Sequence, residues 1–231
     1  MHRDVWHNSG VFGECDSPYM VKDAYRFVLP LLVLGFILQL LLGQKWPLAI
    51  SLILALFVCY FFRNPNRVIP SDPDAVVSPA DGKVVVIVDE PMGTRPGKRI
   101  SIFLSVFNVH VNRAPVAGRV TKVEYRPGKF YGAYRSRASI ENEQNVIAIE
   151  TPAGEMVFKQ ISGAIARRVI SWKAPGDVVS KGELFGIIRF GSRVDVWLPA
   201  NAEIVVALGD KVAGGSSILA RWKSTTKLTA S

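Results

Sequence analysis

The chain has 231 residues, 49% of them apolar, with two cysteines and a formal net charge of +9. That length and apolar content exclude a disordered tail and a small disulfide-stapled domain, and suit one sizeable domain plus a further apolar element. The basic excess is scattered over Arg119, Arg126, Arg135, Arg137, Arg167, Arg168, Arg189 and Arg193, without a recognition helix or an aromatic–basic motif. It therefore argues against nucleic acid and for anionic lipid headgroups, worth about 1 kcal/mol per basic residue near a membrane surface.

Residues 1–26 are polar and unpatterned, and they contain His2, His7 and Cys15. Two apolar runs follow, Val28–Gly43 and Trp46–Phe62, joined only by Gln44 and Lys45. Each falls just short of the ~20 residues that span a bilayer comfortably. Neither has a polar face, which disfavours a helical pair buried in a globular domain. Lys22 and Arg26 precede the first run, and Arg63 and Arg67 follow the second. The spacing predicts a membrane hairpin over 27–62 with both ends on the cytoplasmic side. Two runs with no small-residue cleavage site argue against a cleaved signal peptide. Cys15 and Cys59 do not look like a pair and show no metal spacing, which fits a reducing compartment.

After the Pro-rich exit "RNPNRVIPSDPD" (63–74) the chain reads as β. Strands are predicted over 82–90, 99–111, 118–125, 145–151, 155–161, 184–190 and 203–209, each rich in Val, Ile or Phe and separated by Gly, Pro and Asp. The segment 162–170 has no clear pattern. No long amphipathic helix is evident in 63–231, so the fold class is mainly β, a barrel or sandwich behind an N-terminal helical hairpin. A weak repeat, "PGDVVSKGELFGI" (175–187) and "LGDKVAGGSSILA" (208–220), resembles the turns of barrel-sandwich carrier domains, with glycines supplying positive φ.

"RFGSRVDVWLP" (189–199) reads as a strand with Phe190, Val194, Val196 and Leu198 on one face and Arg189, Arg193 and Asp195 on the other. Ser192 falls on the apolar face, directly after Gly191 in what reads as mid-strand. A hydroxyl aimed inward beside a flexible glycine can attack the preceding carbonyl, turning an amide into an ester. Elimination then breaks the chain and leaves dehydroalanine, which hydrolyses to a pyruvoyl group. Such chemistry needs a base, and Asp81 in "SPADGKV" and His110 in "FLSVFNVHVNRAP" are the available pair. Taken alone, each has an ordinary structural explanation, an Asp-Gly turn after a proline and a strand histidine. "GGSS" (214–217) is a second Gly-Ser junction, explained by the repeat as a turn. A serine hydrolase lacks its G-x-S-x-G elbow. A non-catalytic membrane-anchored barrel-sandwich adaptor leaves Ser192 unexplained.

The segments "FFRNPNR" (61–67), "SPADGKV" (78–84), "FLSVFNVHVNRAP" (103–115), "SIENEQN" (139–145) and "GELFGIIRFGSRVDVWLP" (182–199) stand in the order found in membrane-associated phosphatidylserine decarboxylases. Over about 62–220 the chain resembles their short bacterial and archaeal type. The resemblance implies self-cleavage at Gly191-Ser192 into 1–191 and 192–231, which stay together as a heterodimer. It implies a pyruvoyl cofactor made from Ser192, and catalytic roles for Ser192, His110 and Asp81. Arg113, Asn142, Glu143 and Gly163 are expected in the substrate pocket. The expected reaction takes phosphatidylserine at the cell membrane through a Schiff base to phosphatidylethanolamine and CO2, with His110 protonating the carbanion. An ether lipid with the same headgroup is the alternative substrate. Longer members carry a second histidine where this chain has Arg113. Two assignments for maturation therefore stay open: His110 serving both steps, or Asp81 acting alone.

Overall fold

The computed structural model describes residues 20–135, 137–164, 168–189 and 191–222. His2, His7, Cys15, Arg167, Phe190 and the last residues of the expected small fragment lie outside the described residues.

Two apolar helices come first, α1 (Tyr25–Leu42) and α2 (Trp46–Phe61). They cross where Gly35 of α1 meets Ser51 of α2: a Cβ on Gly35 would lie 2.2 Å from Ser51 Oγ. Small residues at the crossing let the two backbones approach closely. Leu29, Val33, Leu40, Ile53, Leu56 and their neighbours remain exposed on the outer surface. The helical stretch Lys22–Leu42 is long and apolar enough to cross a membrane, whereas α2, at 16 residues, rises about 24 Å. The predicted hairpin thus has one long and one short arm.

The β region comprises β1 (Ala75–Val77), β2 (Gly82–Asp89), β3 (Gly97–Leu104), β4 (Val111–Arg113), β5 (Gly118–Arg126), β6 (Gln144–Thr151) and β7 (Gly154–Ile161). It continues with β8 (Val169–Ser171), β9 (Val178–Val179), β10 (Leu184–Ile188), β11 (Ser192–Pro199), β12 (Glu203–Ile204), β13 (Lys211–Val212) and β14 (Ile218–Arg221). One short helix, α3 (Ala138–Glu141), precedes β6. Eight strands form one antiparallel sheet in the order β13-β2-β3-β11-β7-β6-β5-β9, and two three-stranded sheets, β1-β14-β12 and β4-β10-β8, accompany it. One apolar core cluster takes Val76, Ile102, Phe158, Phe185, Val194 and Leu219 from all three sheets. A mainly-β region behind two apolar helices agrees with the expected class.

The repeated turns are alike in conformation. Gly176 and Gly209 have φ of 100° and 97°, and Gly182 and Gly215 of 80° and 79°. In each, the aspartate accepts from the backbone N–H three residues before it, Asp177 from Ala174 and Asp210 from Ala207, both at 2.8 Å. The strands that follow, β9 and β13, are the two edges of the large sheet.

Three predicted strands are corrected. The run 99–111 is broken, because Asn108 Oδ1 accepts from the Ser105 N–H at 2.8 Å and this local bond displaces the ladder. His110 therefore sits in the break before β4. Of 203–209 only Glu203–Ile204 is strand. The 189–199 run begins its ladder at Ser192, so Gly191, with φ +65°, is the joint between β10 and β11 rather than a mid-strand residue. Nor is the charged face of β11 open to solvent. Arg193 and Asp195 are buried as an ion pair, with Ser139 and Ser101 as further partners.

Candidate active site

Ser192 opens β11, the strand held between β3 and β7 at the middle of the large sheet. Val194, Val196 and Leu198 of this strand enter the core, so the alternation carries Ser192 to the same inner face. Its hydroxyl is fully buried and has no hydrogen-bond partner. An unmade buried hydrogen bond costs about 1–3 kcal/mol.

The carbonyl that this hydroxyl would attack belongs to Gly191. A Cβ placed on Gly163 would meet the Gly191 oxygen at 2.0 Å and its carbon at 3.0 Å, so the carbonyl lies flat against the bare backbone of Gly163. Asn142 fixes that backbone. Its Nδ2 donates to Ser162 O and to Tyr131 O, both at 2.8 Å, and its Oδ1 accepts from the Tyr131 N–H at 2.9 Å. Glu143 adds to the clamp, its backbone carbonyl taking the Ser162 N–H at 2.9 Å and its carboxylate the Val169 N–H at 3.3 Å. Burial raises the Glu143 carboxyl above the ordinary range, with the Val169 N–H acting in the opposite sense.

His110 completes the group. Its Nδ1 is 3.0 Å from Asn108 O, which can only accept, so Nδ1 carries the proton. The Gly191 N–H, which can only donate, lies 3.2 Å from Nε2. The ring is therefore the neutral Nδ1–H tautomer, with its lone pair on the Gly191 N–H, one residue before Ser192. Burial, reinforced by the Arg63 charge and opposed by the Asn108 bond, lowers its pKa from 6.5 to about 4. Phe61, the last residue of α2, covers the ring at a centroid distance of 4.1 Å.

Asp81 and Arg113 are placed elsewhere. Arg67 Nη2 donates to both Asp81 carboxylate oxygens, at 2.9 and 2.8 Å, and the Gly214 N–H reaches Oδ1 at 2.7 Å. Arg113 donates to Asn64 Oδ1 at 2.7 Å and to Gly182 O at 2.9 Å, and its Cδ packs against Gly215. Both side chains thus tie the membrane exit and the "GGSS" turn to the β region. Ser217 Oγ accepts from the Ala213 N–H within that turn. Of the residues singled out in the sequence, Ser192, Gly191, His110 and Gly163 come together directly, with Asn142 and Glu143 behind them.

Three polar residues beside this group escaped the sequence reading: Asn112, Gln160 and Ser162, all fully buried. A signal for two of them was present. Met156, Phe158, Gln160 and Ser162 alternate along one face, and its polar end breaks the apolar pattern just as Ser192 does.

A family model described as phosphatidylserine decarboxylase matches residues 54–220. A phosphatidylserine decarboxylase proenzyme of Geotalea uraniireducens (strain Rf4) is 46% identical over 210 residues, covering 87% of this chain and 95% of the relative. The chain belongs to the phosphatidylserine decarboxylase family. A second relative with the same description, from Syntrophus aciditrophicus (strain SB), is 42% identical over 205 residues, covering 87% and 96%. Family membership makes the chain an enzyme, a decarboxylase, and sets aside the adaptor and the serine hydrolase.

Proposed function

We propose that the chain is the precursor of a pyruvoyl-dependent enzyme that cuts itself between Gly191 and Ser192 and then converts phosphatidylserine to phosphatidylethanolamine and CO2. The observation that carries this reading is the His110 lone pair on the Gly191 N–H, next in the chain to a buried Ser192 hydroxyl without a partner. The description of both relatives as proenzymes supports it.

The lone pair of His110 exchanges the Gly191 N–H for the Ser192 hydroxyl proton. Ser192 Oγ then attacks the Gly191 carbonyl carbon, the peptide C–N bond breaks, and an ester links the two residues. Removal of the Ser192 α-proton expels the ester oxygen. Gly191 is left with a carboxylate and residue 192 with dehydroalanine, which takes up water and releases ammonia to become the pyruvoyl group. That carbonyl supplies an electron sink for decarboxylation through Schiff-base chemistry with the headgroup amine. The new carboxylate forms beside His110 Nε2, and an opposite charge there favours the protonated ring. His110 thus begins as a base and ends as the acid that returns a proton to the carbanion. Asp81, with its oxygens on Arg67 and Gly214, acts at a distance by holding the "GGSS" turn.

The 192–231 fragment keeps its place after the cut. It supplies β11 between β3 and β7, β13 against β2, and β14 between β1 and β12. The hairpin brings this site to the bilayer, with Lys22, Arg26, Arg63 and Arg67 marking the cytoplasmic side. Arg63 donates to Phe107 O at 2.8 Å, which sets the exposed Phe107 ring beside the end of α2.

Denaturing electrophoresis with mass spectrometry of purified protein is the direct test. Two chains, 1–191 and 192–231, are expected, the second blocked at its N-terminus and captured by borohydride together with phosphatidylserine. They are expected to co-purify until denatured. A single intact chain in active protein would refute the reading.

The state of His110 gives a second expected result. A base with pKa about 4 is already deprotonated at neutral pH, so self-cleavage is expected to hold its rate on acidification through 6.5 and to fall only near 4. Phe61→Ala admits water to the ring, raises its pKa toward 6.5 and moves the acid limb up with it. Time courses of freshly synthesised precursor across pH read both effects, and a wild-type limb centred near 6.5 contradicts the assignment.

A further inference from the structure

Behind the site runs a chain of buried amides with a fixed direction. Asn145 Nδ2 donates to Gln160 Oε1 at 3.1 Å. Gln160 Nε2 donates to Asn112 Oδ1 at 2.9 Å and to Ile170 O at 3.3 Å. Each amide is thereby oriented, and the last one, Asn112, has its oxygen occupied and its Nδ2 left over. That nitrogen is buried and has no partner, and Asn112 itself is 0% exposed.

Its position follows from the strands. Within β4, Val111 packs with Phe61 and Phe62 in a second apolar cluster, so its neighbour Asn112 faces the opposite way, toward the large sheet. His110 reaches the Gly191 N–H and Asn112 reaches Gln160. Gln160 pairs with Val194 on β11, two residues from Ser192, which is about 6.8 Å along a strand. The residue that holds the unpartnered donor thus pairs one inward-facing position along β11 from the reactive serine, and donor and serine are both fully buried.

Resting on the decarboxylase reading above, we propose that Asn112 Nδ2 receives the carboxylate of the phosphatidylserine headgroup, with Gln160 as the residue that positions it. The amine of the headgroup is held at residue 192, and the carboxylate shares a carbon with that amine. The phosphate lies three bonds further from that carbon, toward the point of access. A donor buried as deeply as Ser192 thus matches the carboxylate. Its neutrality suits the reaction: an amide orients the carboxylate so that the bond to CO2 can break, whereas a cation would stabilise the charge that must be lost and so raise the barrier.

The test compares two lipids that differ by this carboxylate, using the full-length protein in mixed micelles. Asn112→Asp and Asn112→Ala are each expected to cut themselves into two chains. The phosphatidylserine concentration giving half-maximal turnover should rise roughly ten- to a hundred-fold, as for one lost hydrogen bond to a charged group. Phosphatidylethanolamine, lacking the carboxylate, should be captured by borohydride on the 192–231 chain at an unchanged half-saturating concentration, read from the mass of that chain. Equal weakening toward both lipids, or none toward phosphatidylserine, overturns the proposal. Failure of both variants to cut themselves overturns it too, by placing Asn112 in maturation. Wild-type protein that captured neither lipid would instead overturn the decarboxylase reading beneath it.

Discussion

Ser192→Ala is expected to stay a single chain and to lose decarboxylation entirely, a drop on the order of 10⁶-fold as when a covalent nucleophile is removed, while Ser216→Ala matures as the wild type does. The two serines share a Gly-Ser context but not a setting. Ser192 begins a central strand with its hydroxyl buried and unpartnered. Ser216 belongs to a turn whose counterpart around Gly182 has the same backbone geometry. The loss at Ser192 should come with no loss of stability. Removing a buried hydroxyl that makes no hydrogen bond relieves a cost of about 1–3 kcal/mol, so thermal unfolding of Ser192→Ala is expected at or above the temperature of an uncut precursor. An inactive variant that unfolds early would make Ser192 a structural residue, and one that still cuts itself would move the junction elsewhere.

Gly163→Ala is the second large effect. Alanine there places a methyl carbon 2.0 Å from the Gly191 oxygen, a separation no relaxed structure keeps. Ala133 Cβ, at 3.5 Å, is an ordinary neighbour, so the conflict is with the Gly191 carbonyl. That carbonyl must shift by more than about 1 Å, a misplacement that costs roughly 10²-fold in a positioned reaction. Self-cleavage is expected to slow by at least that factor while circular dichroism and the thermal midpoint stay near those of the precursor. The rate at which the 192–231 chain appears measures it, and a wild-type rate would detach Gly163 from the reaction.

The sequence made the hairpin legible because neither helix has a polar face to hide, and it made the strands legible because Val and Ile crowd them. It made the paired turns legible through glycines and aspartates whose roles repeat. It misplaced His110 because the bond from the Ser105 N–H to Asn108 competes with strand pairing, and propensity does not register a side chain that replaces a backbone partner. The burial of Arg193 and Asp195 was not legible, because each alone favours water and only their pairing permits it. Ser192 stood out for its face, and Gln160 and Ser162 offered the same cue. Asn112 gave none, because an asparagine beside Arg113 in "HVNRAP" looks like an ordinary strand edge. Its direction became visible only with the amides behind it.

The ring of Phe61 against His110 has a practical consequence for anyone wishing to handle this protein without lipid. Trimming the chain back to the β region would remove more than an anchor. It would strip the cover from the imidazole, admit solvent to it, and uncover Val109, Val111 and Ile187, which pack with Phe61 and Phe62. The bond from the Val21 N–H to Phe62 O and the Arg189–Asp23 ion pair would go with it. The last turn of the second helix thus shelters His110 as well as ending the apolar hairpin, and a useful water-soluble form must keep that turn and change the exposed apolar residues of the helices instead.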